Sequence, residues 1–331
     1  MVICVYGAGS VGCYVGGRLA AAGADVVFIG RERTARQLAW HGLTLTDWRG
    51  AELRVPEPRY ETAPDAAAEA DLVLLTVKSA ATADAAVELG PLLKPGAVVL
   101  SLQNGLRNAE KLRDLLPGID VLPGTVGFNV VNRGAGWFHG ATSGDLEAQA
   151  HEALDACAAD FERAGLPLVR REDMRGVQAA KLLLNLNNAV NALSGLPLKE
   201  ELSQRAFRRC LAAAQREALT AFAAAGIAPA RLTPLPPRWV PALLAAPDAV
   251  FTRAAARMLA IDPLARSSMW EDLEAGRATE VDHLNGEIVA LARAHGTEAP
   301  VNERLVALVR DAEAGGRRDW TGAALLAELR P

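Results

Sequence analysis

Three groups of polar residues stand where the pattern of the chain calls for apolar ones. The first is Lys181, followed by Asn185 and Asn188, in "AAKLLLNLNNAVNALSG". Spacings of four and seven put all three on one face of a helix that is otherwise apolar nearly all round, and therefore buried. A buried Lys is rare unless paired or functional, and burial makes its proton easier to give up. The alternative is a Lys whose stem crosses apolar neighbours while its head reaches water. The second group closes two buried runs: "LVLLTVKSA" ends on Thr76 and Lys78, and "VVLSLQNGL" on Gln103, Asn104 and Gly105. Asn-Gly is also an ordinary turn pair. The third is Glu280 in "RATEVDHLNG", beside the stripe Val281, Leu284, Ile288 and Leu291. That stripe makes residues 265–296 read as helix, with Glu280 on or next to the apolar face. A carboxylate there needs a partner, and Arg277 is one within the same stretch.

A fourth constellation is made of glycines. Gly7-x-Gly9-x-x-Gly12 follows an apolar strand, opens a helix and leads to a second strand, which is the context a dinucleotide fingerprint requires. Gly7 allows the tight turn, Gly9 lets the backbone approach a pyrophosphate, and Gly12 lets the helix pack on the strand. Gly7, Ala8, Gly9, Ser10, Val11 and Gly12 are thus the expected phosphate loop, with free helix N-terminal amides behind it. A glycine-rich turn with no ligand is the plain alternative. Arg31 follows the second strand directly, and Arg33 and Arg36 surround Glu32. Guanidiniums suit a ribose 2′-phosphate better than a 2′-hydroxyl. The expected cofactor is therefore NADP(H) rather than NAD(H).

The elements that must position these groups follow a simple order. Strand-like runs at 2–6, 25–29, 72–77, 97–102 and 121–126 alternate with helical stretches at 11–22, 80–93 and 106–116. Such apolar, β-branched runs belong to a parallel sheet buried on both faces, connected by right-handed crossovers. The ends of these strands that carry Lys78 and Asn104 then lie on the carboxyl edge, where open α/β sheets bind ligands. "LTLTDWRGAELRV" and "GFNVVNRGAGWFHGA" interrupt the rhythm and read as β-hairpins turning at Arg49-Gly50 and near Gly134. After Glu172 strand signals all but vanish, and residues 175–195, like 265–296, read as single helices. The expected fold is an α/β Rossmann-type dinucleotide-binding domain, 1–172, followed by an all-α domain, 173–331, for substrate and dimerisation.

Composition narrows the function. A net charge of −4 and no Lys/Arg-rich block argue against nucleic acid as a partner. Only five of the 35 basic residues are Lys, which draws attention to Lys78 and Lys181 within apolar stretches. Four scattered Cys read as buried free thiols, and the His pattern holds no metal-site spacing. No run approaches the ~20 apolar residues of a membrane span, so no membrane partner and a cytoplasmic setting are expected.

Taken together, "GAGSVG", "TVK" at Lys78, "LQNG" at Asn104, "KLLLN" at Lys181 and "SSM…E-x-D-x-x-NG" from Ser267 to Gly286 resemble the ketopantoate reductase (2-dehydropantoate 2-reductase) family over nearly the whole chain. The resemblance implies NADPH-dependent reduction of a 2-oxo acid, in the pantothenate pathway, in a cleft between a Rossmann domain and a helical domain. It places the catalytic proton donor on Lys181 and the acidic site residue on Glu280. Substrate contacts fall on Asn104, Asn185 and Ser268, and cofactor contacts on Lys78 and Asn104 as well. Asp282 and Asn285 would hold the helix rather than touch substrate.

The match fails at two positions where the family carries substrate-side Asn. Here they are Ala189 and Leu198, with Asn187, Asn188 and Asn191 as possible compensation. A reductase of a different 2-oxo or 3-oxo acid is therefore one rival, and a non-catalytic NADP-binding regulator another. A homodimer is compatible with the sequence and not required by it.

Overall fold

The first strand, β1 (Val2–Tyr6), serves two cores at once. Ile3 and Val5 point into one and Cys4 and Tyr6 into the other, because successive side chains leave opposite faces of a strand. The computed structural model describes residues 1–254 and 265–329. The chain divides into two compact units, Met1–Met174 and Arg175–Pro331.

The first unit continues with α1 (Ser10–Ala21), β2 (Asp25–Ile29), α2 (Glu32–His41), β3 (Leu43–Asp47), β4 (Glu52–Val55), β5 (Arg59–Glu61), β6 (Leu72–Leu75) and α3 (Thr82–Leu89). It is completed by β7 (Val98–Ser101), α4 (Asn108–Leu115), β8 (Asp120–Val126), β9 (Val130–Gly134), β10 (Trp137–Gly140), β11 (Leu146–Gln149), α5 (Asp155–Arg163) and β12 (Leu168–Arg171). Eight strands form one sheet in the order β12-β11-β8-β7-β6-β1-β2-β5. All neighbours are parallel except β8 and β11. From β1 the chain runs outward to β2 and β5, then returns to β6 on the other side of β1. The order reverses between β1 and β6, and the crevice at such a reversal is where α/β sheets take ligands.

The two expected hairpins form, and Gly50 and Gly134 adopt φ of 86° and 83° at their turns. The structure adds that they meet. β10 pairs in parallel with β3, so the hairpins make one four-stranded sheet, β4-β3-β10-β9. Strands β5, β11 and β12 were not expected from the sequence. Each has only three or four residues, and β5 and β12 are charged edge strands, which blunts the apolar signal.

The described residues of the second unit form helices joined by loops, with no strand among them. It comprises α6 (Met174–Asn185, entering from the first unit), α7 (Asn187–Ser194), α8 (Leu198–Ser203), α9 (Arg205–Ala224), α10 (Val240–Ala245), α11 (Asp248–Ala254), α12 (Ser268–Glu274), α13 (Asn285–Ala294), α14 (Pro300–Glu313) and α15 (Gly322–Glu328). The long α9 packs against α10, α13 and α15. Residues 255–264 and 330–331, within the expected helical half, lie outside the described residues.

Two expected single helices are each two. Residues 175–195 break at Leu186, which keeps a helical conformation and its bond to the Leu182 carbonyl. Residues 265–296 break more fully. Gly276, at φ 60°, ends α12 in a Schellman motif, with Arg277 N–H donating to the Asp272 carbonyl and Gly276 N–H to that of Leu273. A 3-10 turn over Val281–His283 then leads into α13. The apolar spacing survives because Val281, Leu284 and Ile288 are all buried, but Glu280 sits at the start of a turn rather than on a continuous helix. All four Cys are buried and free. Burial pushes the Cys4, Cys13 and Cys210 thiols up to about 12 and that of Cys157 to about 11, so none is a ready nucleophile.

Candidate functional site

The glycine loop joins β1 to α1 at the point where the sheet order reverses. The Gly7 and Ala8 amides both donate to the Ile29 carbonyl at 3.0 Å, which ties the loop to the end of β2. Thr76 Oγ1 donates to the Gly7 carbonyl at 2.9 Å from the end of β6. The glycines are needed for different reasons. A Cβ at Gly7 would lie 2.5 Å from the Val77 amide nitrogen, and Gly7 has φ 92°. A Cβ at Gly12 would lie 2.5 Å from Thr76 Oγ1 and 2.9 Å from Val5. Gly9 has neither constraint. Its φ is −88°, and the nearest atom to an added Cβ, the Gly7 carbonyl oxygen, is 3.8 Å away.

The open space over Gly9 adjoins the first turn of α1, whose Ser10, Val11 and Gly12 amides have no intrahelical acceptor. No side chain caps that turn and no acidic residue stands in it. A backbone surface left open at an uncapped helix N-terminus fits the pyrophosphate of a dinucleotide.

Farther along the same edge, Gly30 donates to the Glu61 carbonyl, and Arg31 is the residue that precedes α2. Tyr60, from β5, stacks on Phe28 and brings its hydroxyl 3.4 Å from the Arg31 carbonyl. A Cβ at Gly30 would lie 2.3 Å from that hydroxyl. Tyr60 thus shapes the backbone beside Arg31, a role with no sequence signal because it lies in a three-residue strand between two charged residues. The three expected guanidiniums are not equivalent. Arg36 pairs with Glu32 at 3.2 Å, one turn away on α2, whereas Arg31 and Arg33 are exposed and have no carboxylate partner among the described residues.

The ends of β6 and β7 are joined by a buried polar network. The Gln103 amide donates to the Val77 carbonyl at 3.1 Å and to Thr82 Oγ1 at 2.8 Å, and Ser101 donates to Gln103 Oε1 at 2.9 Å. Ser79 and Asn108 both donate to the Asn104 carbonyl, at 3.1 and 2.6 Å. Asn104 therefore has its backbone held from two sides while its side chain remains half-buried. Lys78 is exposed rather than embedded in the apolar run before it. The supporting residues Ser79, Thr82 and Asn108 had no sequence signal beyond being polar near a strand end.

In the second unit, Lys181, Asn185 and Asn188 are half-buried, while Leu182, Leu183 and Leu186 around them are buried. This face is partly accessible, and the segment is not buried on all its other sides as expected, because Leu184 is exposed. Asn187 and Asn191 are different. Both are buried and both donate to Glu201 Oε2, at 3.2 and 2.9 Å. They are committed to an internal carboxyl, so they do not replace the family's substrate-side Asn. Of the "SSM" pair, Ser267 is buried and caps α12 by accepting from the Trp270 amide, and Ser268 is exposed. Glu280 is half-buried, and Arg277, its expected alternative partner, pairs with Asp272 at 3.0 Å. Asp282 pairs with Arg310, and buried Asn285 donates to Asn302 at 3.0 Å, so both hold helices together. A cavity of about 490 Å³ beside α9 is lined by Arg205, Arg209, Arg216, Val301, Leu326 and Leu329 among others, and by none of the expected site residues.

Two family descriptions match this chain: Ketopantoate reductase PanE/ApbA over residues 3–153, and Ketopantoate reductase PanE/ApbA C terminal over residues 173–313. The chain belongs to the ketopantoate reductase family. It is therefore an oxidoreductase of a dinucleotide-binding family. A 2-dehydropantoate 2-reductase of Halobacterium salinarum is 31% identical over 96% of this chain and 100% of its own length. One from Pyrococcus horikoshii is 29% identical over 96% and 99%. Among solved structures, a PanE/ApbA family ketopantoate reductase from Ralstonia eutropha JMP134 superposes with a TM-score of 0.82, at 33% identity over 95% of this chain and 99% of that one. A D-mandelate dehydrogenase solved with NADH and anilino(oxo)acetate shares the fold, with a TM-score of 0.78 at 21% identity over 95% of this chain and 99% of that one. No helix among the described residues is long and apolar enough to cross a membrane.

Proposed function

We propose that this ketopantoate reductase family member reduces 2-dehydropantoate to pantoate with NADPH, a step of pantothenate and coenzyme A biosynthesis. The observation that carries the cofactor half is the open backbone over Gly9 beside an uncapped helix N-terminus. The substrate half is supported by relatives of that activity matching almost end to end. In this reading residues 1–172 bind the cofactor and 173–331 supply substrate-side groups. Gly7 to Gly12 hold the pyrophosphate, Arg31 the 2′-phosphate, and Lys78 and Asn104 the remaining cofactor contacts. A reduced nicotinamide bound there would supply the hydride that the carbonyl carbon takes up. Lys181 stabilises the charge that develops on the carbonyl oxygen and delivers the proton to it. Asn104, Asn185 and Ser268 orient the 2-oxo acid. Glu280 faces its hydroxyl end or Lys181, since a carboxylate at its acid end would repel it.

Steady-state turnover of ketopantoate with NADPH against NADH tests the proposal directly. Lys181→Ala is expected to lower kcat by about 10²–10⁴-fold, the range for a lost general acid; near-normal turnover would remove Lys181 from the mechanism. A second reading, reduction of a different 2-oxo or 3-oxo acid, is favoured by Ala189 and Leu198 and by the commitment of Asn187 and Asn191 to Glu201. The fold does not choose between substrates, since a D-mandelate dehydrogenase shares it. A panel of oxo acids assayed by NADPH absorbance separates the two readings.

A further inference from the structure

Glu201 has no part in the reaction as proposed, yet it is completely buried in the helical unit. Its Oε2 accepts from the side-chain amides of Asn191 and Asn187. The rest of Asn191 is equally engaged. Its amide also donates to the Leu196 carbonyl at 3.0 Å, and its Oδ1 accepts from the Ser267 amide at 2.9 Å. Ser267 Oγ in turn accepts from Trp270 and donates to the Asn188 carbonyl at 3.3 Å. A single amide side chain thus links the carboxyl on α8, the end of α7 and the first turn of α12.

Among the described residues, the groups around Glu201 offer it no counter-charge. α7 presents Asn187 and Asn191. α9 presents the Cys210 thiol and the buried Arg208, whose guanidinium is spent on the Leu202, Ser203, Leu244 and Ala246 carbonyls and on Asp248. Arg209, Lys199 and Glu200 are exposed, and Arg266 turns to the Gly195 carbonyl and stacks on Trp270. Glu201 Oε1 and Asn187 Oδ1 are both buried acceptors with no donor among the described residues. A proton on Oε1 would make that atom a donor. Burial pushes the carboxyl up to about 8, the Asn amides pulling the other way.

We infer that Glu201 is a positioning residue: through Asn191 it fixes the Ser267 amide and with it the first turn of α12, which presents Ser268. The inference rests on the proposed substrate role of Ser268 for its kinetic consequence, not for its structural one. Ionisation would strengthen the two Asn bonds to Oε2 but leave a buried charge without a counter-ion among the described residues, and water drawn in to solvate it would disturb the Asn191–Ser267 arm.

Two variants of the full-length protein test this. Glu201→Gln keeps the acceptor and removes the titration, and Glu201→Leu removes both. The readouts are kcat and KM for ketopantoate from about pH 6.5 to about 9.5, and amide exchange over residues 265–270, corrected for the intrinsic rate. In the wild type, KM should climb above about pH 8, approaching tenfold per unit, with kcat moving less. Glu201→Gln should stay flat, and Glu201→Leu should show a raised KM at neutral pH and faster exchange at Ser267. An alkaline rise kept by Glu201→Gln, or wild-type KM and exchange in Glu201→Leu, overturns the inference. If no oxo acid is turned over, the proposed function fails, and exchange alone decides here: faster in Glu201→Leu than in Glu201→Gln supports positioning, equal rates refute it. If Glu201→Leu does not fold, the Glu201→Gln pH profile decides.

Discussion

At the scale of single residues, the glycine loop separates two kinds of requirement that a motif merges. Gly12 is needed by the protein itself, because a methyl group would collide with Thr76 and Val5. Gly9 is needed by nothing in the protein, which points to something that approaches it from outside. Gly9→Ala should therefore leave the unliganded protein within about 0.5 kcal/mol of wild-type stability while weakening NADPH binding by more than about tenfold. Gly12→Ala should cost about 1–3 kcal/mol by overpacking before any ligand is added. Urea melts paired with fluorescence titration distinguish the two, and equal stability losses would refute the distinction. Arg31→Ala should weaken NADPH binding by about 1.5–3 kcal/mol, the worth of hydrogen bonds to a charged group, and leave NADH nearly unaffected. A parallel loss for both cofactors would take the 2′-phosphate away from Arg31.

At the scale of elements, the strands that carry the site were legible because they are runs of four or five consecutively buried apolar residues, such as Leu72–Leu75. Short polar strands were not, and Tyr60 beside Arg31 was lost with β5. The break in residues 265–296 was present in the sequence as Gly276, but a helical period on both sides of it masked the stop. Gly276 adopts φ 60° with open space around it, so Gly276→Ala tests the backbone alone. It should destabilise the protein by about 1–2 kcal/mol, the cost of a left-handed conformation for an L-residue. A variant as stable as wild type in urea would show that α12 does not depend on that cap. Lys181 and Asn185 kept the shared face their spacing implied, since Leu186 interrupts the helix only after them.

At the scale of the whole molecule, Glu201 couples folding to pH. Its carboxyl is raised from 4.5 to about 8 in the folded state, so between those values the native protein holds a proton that the unfolded chain has lost. The sign follows from linkage: the contribution is complete below about pH 4.5, declines as pH rises, and is gone above about pH 8. Thermal melts should show Glu201→Gln gaining on wild type as pH increases through that window, and a constant difference would refute the shifted carboxyl.

The sequence by itself determined the strand–helix alternation that carries the site, the glycine loop and the family. These depend on local periodicity, on glycines at fixed spacing and on residues adjacent in the chain. Only the tertiary structure decided which polar residues are spent inside the protein. Glu201 sits in "LKEELS", the last of three consecutive charged residues in the first turn of a short helix, and reads there as solvated. Asn187 and Asn191 read as neighbours of Asn188 and Asn185 on a polar-dotted helix. Their separation into an internal network and an accessible face depends on α8 and the Ser267 turn packing against α7, contacts between residues 10 to 76 positions apart. No local pattern encodes such contacts, because a buried carboxyl is tolerated only where distant groups complete its hydrogen bonds.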